Sequence, residues 1–203
     1  MGNKKNRLVG HQFYLSGGID RVVDRGVGWR KLIKEFLWNM SIGVLDPCDK
    51  PINFGIEDEE SIQWRNEAKE QAKHLYEHRY LDDADDVCQS IAESMKRIVA
   101  ADLMMLDMCH AVILHIDTTV HYCGSYHEMA YACLEKKPII IHCEQGKMGV
   151  PDWVFGVVPH EFIFSTWSEV QKYIKNIAYD ENIQHFKRWR FFDFNKVYNK
   201  ELF

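Results

Sequence analysis

The chain has 203 residues, of which 46% are hydrophobic and 13% aromatic, and its formal net charge is −5. This apolar content excludes global disorder, and apolar runs such as residues 111–116 and 138–141 are far shorter than the ~20 residues that span a bilayer. No segment of the chain has a marked excess of lysine and arginine, so we expect neither a membrane nor a nucleic-acid polymer as a partner.

The length fits a single domain over residues 1–203. Within it we distinguish a polar N-terminal segment (1–10), an insertion (49–84) and an aromatic C-terminal tail (181–203). No apolar stretch of a secretory signal follows the first ten residues. The six cysteines form no Cys-x-x-Cys pair, which indicates reduced thiols and a cytoplasmic location.

Short apolar runs bounded by turn residues alternate with segments of helical periodicity. The predicted strands are Gln12–Ser16, 42–45, Ala111–Ile116, 138–142 and 161–164. The predicted helices are 28–39, 61–79, 85–109, 125–136 and 167–178, with a loop over 49–60. The pattern predicts an α/β fold: a single-domain, flavodoxin-like or Rossmann-like, doubly wound sheet of about five parallel strands. Such sheets bind ligands at the carboxyl ends of their strands.

Asp102 interrupts an apolar stripe on the predicted helix 85–109. The stripe consists of Val87, Ile91, Met95, Ile98, Met105, Leu106 and Cys109. Because an unpaired buried charge is very costly, Asp102 needs a partner or a function. Alternatively, the helix ends near Ala100 and Asp102 caps the next helix.

Glu128 lies in the first turn of the helix predicted after strand Ala111–Ile116. A helix N-terminus favours an ionised carboxylate, which suits a nucleophile. The spacing Ser125-x-x-Glu128 also forms a capping box, with Ser125 as N-cap, and spacing alone favours that interpretation.

Gly17 and Gly18 follow the first strand, in the run Tyr14-Leu15-Ser16-Gly17-Gly18. Glycines at this position let the backbone approach a phosphate or a sugar oxygen, although any tight turn also favours glycine. The run lacks the Gly-x-Gly-x-x-Gly dinucleotide fingerprint.

Taken in order, these motifs resemble those of the nucleoside 2-deoxyribosyltransferase family, including the related deoxynucleoside 5'-monophosphate N-glycosidases. The resemblance covers about residues 12–178. The matching positions are Tyr14, Leu15 and Gly17 in the first strand, Asp102-Leu103 before the third, and Gly124, Glu128, Met129 and Ala132 after it. Two positions differ from the family: Tyr122 replaces an Asp or Ser, and His110 replaces an Asp.

The resemblance implies that Glu128 attacks C1' of a nucleoside or nucleotide and that another base or water then takes the sugar. It implies that Tyr14 holds the glutamate or the sugar, and that Asp102 contacts sugar hydroxyls or handles the proton of the base. The implied substrate contacts are Ser16, Gly17, Gly18, Asp117, Tyr122 and Gly124. Asp117 is open to a second interpretation as a plain loop aspartate.

The resemblance also implies a homo-oligomer, a dimer or larger, because residues 148–156 resemble a stretch that family members lend to a neighbouring subunit. Asp152 and Trp153 are the candidates in that stretch. The tail aromatics, which need a surface to dock on, could pack against a partner or against their own chain. These aromatics are Phe186, Trp189, Phe191, Phe192, Phe194 and Tyr198.

We expect no cofactor, since the implied reaction needs none. We expect no metal either, because His115, His121, His127 and His142 show no recognised zinc spacing. Two alternatives stay open on the same fold: a catalytically inactive nucleotide-binding or sensor protein, and another N-glycoside enzyme such as an NAD glycohydrolase or a phosphoribohydrolase.

Overall fold

The computed structural model describes residues 5–19, 21–51, 54–56, 58–179 and 189. The strands are β1 (Gln12–Ser16), β2 (Gly43–Leu45), β3 (Ala111–Ile116), β4 (Ile139–Cys143) and β5 (Ile163–Phe164). The helices are α1 (Val27–Asn39), α2 (Glu59–Glu77), α3 (Leu81–Met108), α4 (Cys123–Leu134), α5 (Asp152–Val157) and α6 (Trp167–Tyr179).

The strands form a five-stranded sheet in the order β2-β1-β3-β4-β5, and all neighbouring pairs are parallel. The predicted doubly wound α/β fold is therefore confirmed, and the strand order is the flavodoxin-like one. In this order the chain changes direction across the sheet between β1 and β3. The carboxyl ends of those two strands are the expected place for a ligand.

The central strands are buried on both faces, as in β3, where Val112, Ile113 and Leu114 have no exposed surface. Side chains alternate along a strand. Tyr14 and Ser16 of β1 consequently point to the side of α4. Residues at the alternate positions, such as His115 of β3 and His142 of β4, point to the side of α1 and α6. Each face of the sheet thus has its own set of polar side chains.

The insertion at 49–84 contributes a loop, helix α2 and the start of α3. The Asp58 side chain caps α2 by accepting a hydrogen bond from the Ser61 N–H at 2.8 Å. α3 continues from Leu81 to Met108 without a break, so the alternative of a helix end near Ala100 is wrong.

Both ends of the described chain pack on the domain. The buried Leu8 lies in the N-terminal segment, where the Arg7 N–H donates to the Ala178 carbonyl at 3.1 Å. The Trp189 side chain is fully buried, and its indole N–H donates to the Tyr173 hydroxyl at 2.9 Å. At Trp189 the tail therefore docks on its own chain; the other tail aromatics lie outside the described residues.

Among the helices that the structure describes, none is both long enough and apolar enough to cross a membrane.

Candidate active site

Glu128 is held by two hydroxyl groups from β1. The Tyr14 hydroxyl donates to Glu128 Oε1 at 2.7 Å, and the Ser16 hydroxyl donates to Oε2 at 2.5 Å. Tyr14 and Ser16 are both buried, and Ser16 is the last residue of its strand. The carboxylate therefore lies at the carboxyl end of β1, next to the point where the strand order reverses.

The capping-box interpretation of Glu128 is wrong. α4 begins at Cys123, its N-cap is Tyr122, and no side chain caps the helix. Ser125 is a buried residue inside the first turn, and Glu128 lies in the second turn with both carboxylate oxygens bonded to β1. The placement of Glu128 in the first turn was consequently also wrong.

Burial raises the pKa of Glu128 to about 7, outweighing the hydrogen bonds from Ser16 and Tyr14 that lower it. The negative charge of Asp102 raises the same pKa further. The expectation that a helix N-terminus keeps Glu128 ionised is therefore not met, because that influence fades beyond the first turn. Burial, followed by the charge of Glu128, holds the pKa of Tyr14 well above its ordinary value, so its hydroxyl remains a donor.

Asp102 forms an ion pair with Lys50, whose ammonium nitrogen lies 2.7 Å from Asp102 Oδ1. The Lys50 side chain is only 2% exposed and that of Asp102 is 15% exposed. Lys50 also donates to the Gly55 carbonyl. The carboxylate on the apolar stripe thus has the buried partner that its position required, and that partner comes from the loop after β2.

Arg30 was missed by the sequence analysis. Its guanidinium is buried and donates to the carbonyls of Gly17, Gly18 and Gly26 at 2.9–3.3 Å, while its Nε lies 3.4 Å from the Asp46 carboxylate. Arg30 therefore fixes the turn after β1. The buried residues Arg30, Ile33 and Leu37 recur at helical spacing on α1, the same signal of a charge on a buried stripe that identified Asp102.

The Gly17-Gly18 turn is packed against aromatic rings. A Cβ at Gly18 would lie 2.1 Å from Cε1 of Tyr122, and one at Gly17 would lie 2.8 Å from the Trp29 ring. Glycine is therefore required here by close packing. Burial raises the pKa of Tyr122 to about 12, with the Asp117 charge as a further cause.

Asp117 follows β3 and stabilises the loops at this edge of the sheet. Its Oδ1 accepts from the Thr119 N–H at 3.0 Å, from the Thr119 hydroxyl at 2.7 Å and from the Gln145 amide at 2.7 Å. These bonds, the Thr119 hydroxyl first, lower the pKa of Asp117. They agree with the interpretation of Asp117 as a loop residue.

Three other predicted contacts are solvent-exposed. A Cβ at Gly124, in the first turn of α4, would meet no atom within 4 Å. Asp152 and Trp153 are the first two residues of α5, and Trp153 is 80% exposed. The structure thus joins Tyr14, Ser16 and Glu128 directly. The charge of Asp102 acts on Tyr14 and Glu128, whereas Asp152 and Trp153 lie on the surface.

A second polar cluster lies on the opposite face of the sheet. His115 and His142 are paired in register on β3 and β4, and their Nδ1 atoms form a hydrogen bond at 2.9 Å, in which one ring donates and the other accepts. Burial lowers the pKa of both imidazoles to about 4. The charge of His142 lowers the pKa of His115 further. Ligand atoms of His115, His142 and Glu144 all lie within 4.8 Å of one another, a grouping that the sequence spacing did not predict.

The chain matches no protein-family model and no curated protein. Among solved structures it is similar to a 2-deoxyribosyltransferase from the psychrotolerant bacterium Bacillus psychrosaccharolyticus, an enzyme described as a biocatalyst for nucleoside synthesis. The identity is 13%, the match covers 80% of this chain and 91% of that chain, and the TM-score is 0.49. At these values the likeness assigns no activity to this chain.

Proposed function

We propose that this chain cleaves the N-glycosidic bond of a nucleoside or its 5'-monophosphate with Glu128 as nucleophile, passing the sugar to another base or to water. One observation carries the proposal: a partly buried glutamate at the edge of the sheet where a ligand is expected has both carboxylate oxygens oriented by hydroxyl donors. Breaking such a bond builds positive charge on the sugar, which a carboxylate beside C1' stabilises or captures covalently.

The environment of Glu128 suits a nucleophile that works near neutral pH. With its pKa at about 7, half of the carboxyl groups are ionised at pH 7. The raised pKa also makes the carboxylate more basic than one in water. Tyr14 and Ser16 hold the two oxygens in place, so the attacking atom is oriented before the substrate arrives.

Asp102 is the second carboxylate of the proposed site. Its negative charge acts on Glu128 and raises the pKa of that carboxyl group. We assign it to the sugar hydroxyls or to the proton of the leaving base, with Lys50 as the positioning residue that holds it.

The packing of the turn after β1 supports a nucleoside over its monophosphate. The Tyr122 ring covers Gly18, and the carbonyls of Gly17 and Gly18 face the Arg30 guanidinium. A 5'-phosphate at this turn would have to displace the ring. The proposed contacts of Gly124 with substrate, by contrast, need no rearrangement, because the space beside it is open.

The homo-oligomer remains a proposal that rests on α5. Trp153 is 80% exposed beside the exposed Asp152, and a large exposed aromatic side chain is typical of a contact surface. An active monomer in light scattering at assay concentration would contradict it.

A nucleotide-binding protein without turnover is the second candidate function. The Lys50–Asp102 ion pair favours it, because the pair neutralises a carboxylate that catalysis would use. Binding of a labelled deoxynucleoside without release of base would support this candidate.

The test is incubation with a panel of deoxynucleosides and their monophosphates, with and without an acceptor base, followed by chromatography for free base. Glu128→Gln should lose about a thousandfold or more in rate, which is about 4 kcal/mol of barrier. Glu135→Gln, at the exposed end of the same helix, is the matched control. Full activity of Glu128→Gln, or a sugar adduct on another carboxylate by mass spectrometry, would overturn the assignment.

A further inference from the structure

The cluster of His115, His142 and Glu144 takes no part in the proposed reaction. It lies on the face of the sheet opposite Glu128, where the side chains of β3 and β4 meet α1 and α6. Glu144 follows β4 two positions after His142, so it continues the same face toward the carboxyl end of the strand.

The geometry of the two imidazoles fits a shared metal ion. Two nitrogens bound at about 2.0–2.1 Å to one ion are about 2.9 Å apart at a right angle and about 3.4 Å apart at the tetrahedral angle. The observed Nδ1–Nδ1 distance of 2.9 Å, which a hydrogen bond between the rings spans in this structure, lies at the lower value, and a bound ion would replace the shared proton. The rings therefore have to separate by no more than about 0.5 Å to accept a tetrahedral ion between them.

The surroundings hold the two rings in this orientation. The Trp167 ring stacks on His142 with 4.1 Å between ring centroids, and the Trp29 ring lies 5.1 Å from that of His115. His142 is buried, whereas Glu144 is exposed, so an ion can enter from solvent on the side of the carboxylate.

We propose that His115, His142 and Glu144 bind a divalent transition-metal ion of the zinc class, with water completing its coordination. Two imidazoles and one carboxylate are a ligand set that zinc accepts. The site is independent of the reaction proposed for Glu128.

The charges near the cluster favour a cation. Asp24 and Asp117 act on His115, and Glu169 acts on His142, so three carboxylates surround the site. The positive charge of Arg30 opposes them, but it is paired with the Asp46 carboxylate.

A bound ion would join the carboxyl ends of β3 and β4. The loops that follow these strands are already linked, because the Gln145 side chain bonds to Asp117 and to the Thr118 N–H. The expected effect of the ion is therefore greater stability of this edge of the sheet.

The test is calorimetric titration of tag-free, full-length protein with zinc. The exposed His74 and His78, at the carboxyl end and the C-cap of α2, form a competing pair with ring centroids 4.1 Å apart. All measurements therefore use a His74→Gln/His78→Gln background. One equivalent of zinc should bind, raise Tm by about 5–10 °C at a hundredfold excess over Kd, and be removed by a chelator.

Two variants identify the ligands. His115→Phe keeps an aromatic ring and should abolish binding, and Glu144→Gln, a surface change, should weaken it at least tenfold. Cobalt should quench the fluorescence of Trp29 and Trp167 in the background protein and not in His115→Phe. Absence of zinc binding in the background protein, or unchanged Kd in either variant, overturns the three-ligand site.

Discussion

The two hydroxyl donors to Glu128 should set the pH dependence of the proposed reaction. In the proposed reaction Glu128 must be ionised, so kcat/KM should rise with pH through about 7, the pKa of this group. Ser16→Ala removes the 2.5 Å hydrogen bond that lowers this pKa. The pKa of Glu128 then rises, and the ascending limb of the pH profile of kcat/KM moves to higher pH.

The size of the shift follows from the hydrogen bond. A hydrogen bond to a charged group contributes about 1.5–3 kcal/mol, and one pKa unit corresponds to about 1.4 kcal/mol, so the limb should move by about 1–2 pH units. At pH 7 the ionised fraction then falls from about one half to between about a tenth and a hundredth. The rate at pH 7 should fall about 5–50-fold and recover above pH 9.

The assay is base release measured from pH 5 to pH 10 for the wild type, Ser16→Ala and Ser125→Ala. Ser125 is the matched control, since it is a buried serine on α4 that makes no hydrogen bond to Glu128. Its variant should keep the wild-type limb. A Ser16→Ala profile that is lowered equally at every pH would refute the reasoning, because it would mean that Ser16 acts on the substrate or the fold and not on the carboxylate.

Three further predictions concern stability and charge. Because burial raises the pKa of Glu128 from 4.5 to about 7, ionisation destabilises the fold, so the free energy of unfolding of Glu128→Gln, measured in urea, should exceed that of the wild type by up to about 3 kcal/mol at pH 8 and match it at pH 4. Asp102→Asn removes a like charge and should move the ascending limb of kcat/KM to lower pH. Gly18→Ala should cost about 1–3 kcal/mol in urea unfolding and be partly rescued by Tyr122→Ala, whereas Gly124→Ala should be neutral or stabilising.

The sheet was predictable because its strands are buried on both faces and therefore consist of apolar runs, which end at turn residues such as glycine or Asp-Pro. Runs such as 111–116 and 138–142 are too short for a typical helix and have the length of a buried strand. Helix ends were less accurate. α4 starts at Cys123 without a side-chain cap, so the sequence offers no signal for its first residue. The Ser125 spacing instead indicated a cap that does not form.

The site was predictable where a charge interrupts an apolar pattern and not where two distant segments meet. Asp102 was identified from its stripe, but its partner Lys50 lies in a loop whose path the sequence does not determine. The pairing of His115 with His142 depends on strand register, which links residues 27 positions apart. Register is a tertiary property, and no local spacing encodes it.

The distance along the chain between β1 and α4 has a kinetic consequence. The bonds from Tyr14 and Ser16 to Glu128 link residues 114 and 112 positions apart. Closing a loop of that length costs about 4 kcal/mol in chain entropy beyond a constant, whereas the neighbouring helices α2 and α3 can pair early and locally. During refolding, the helical circular-dichroism signal should therefore return before the proposed activity, since the carboxylate acquires its two donors only after β1 has joined the sheet.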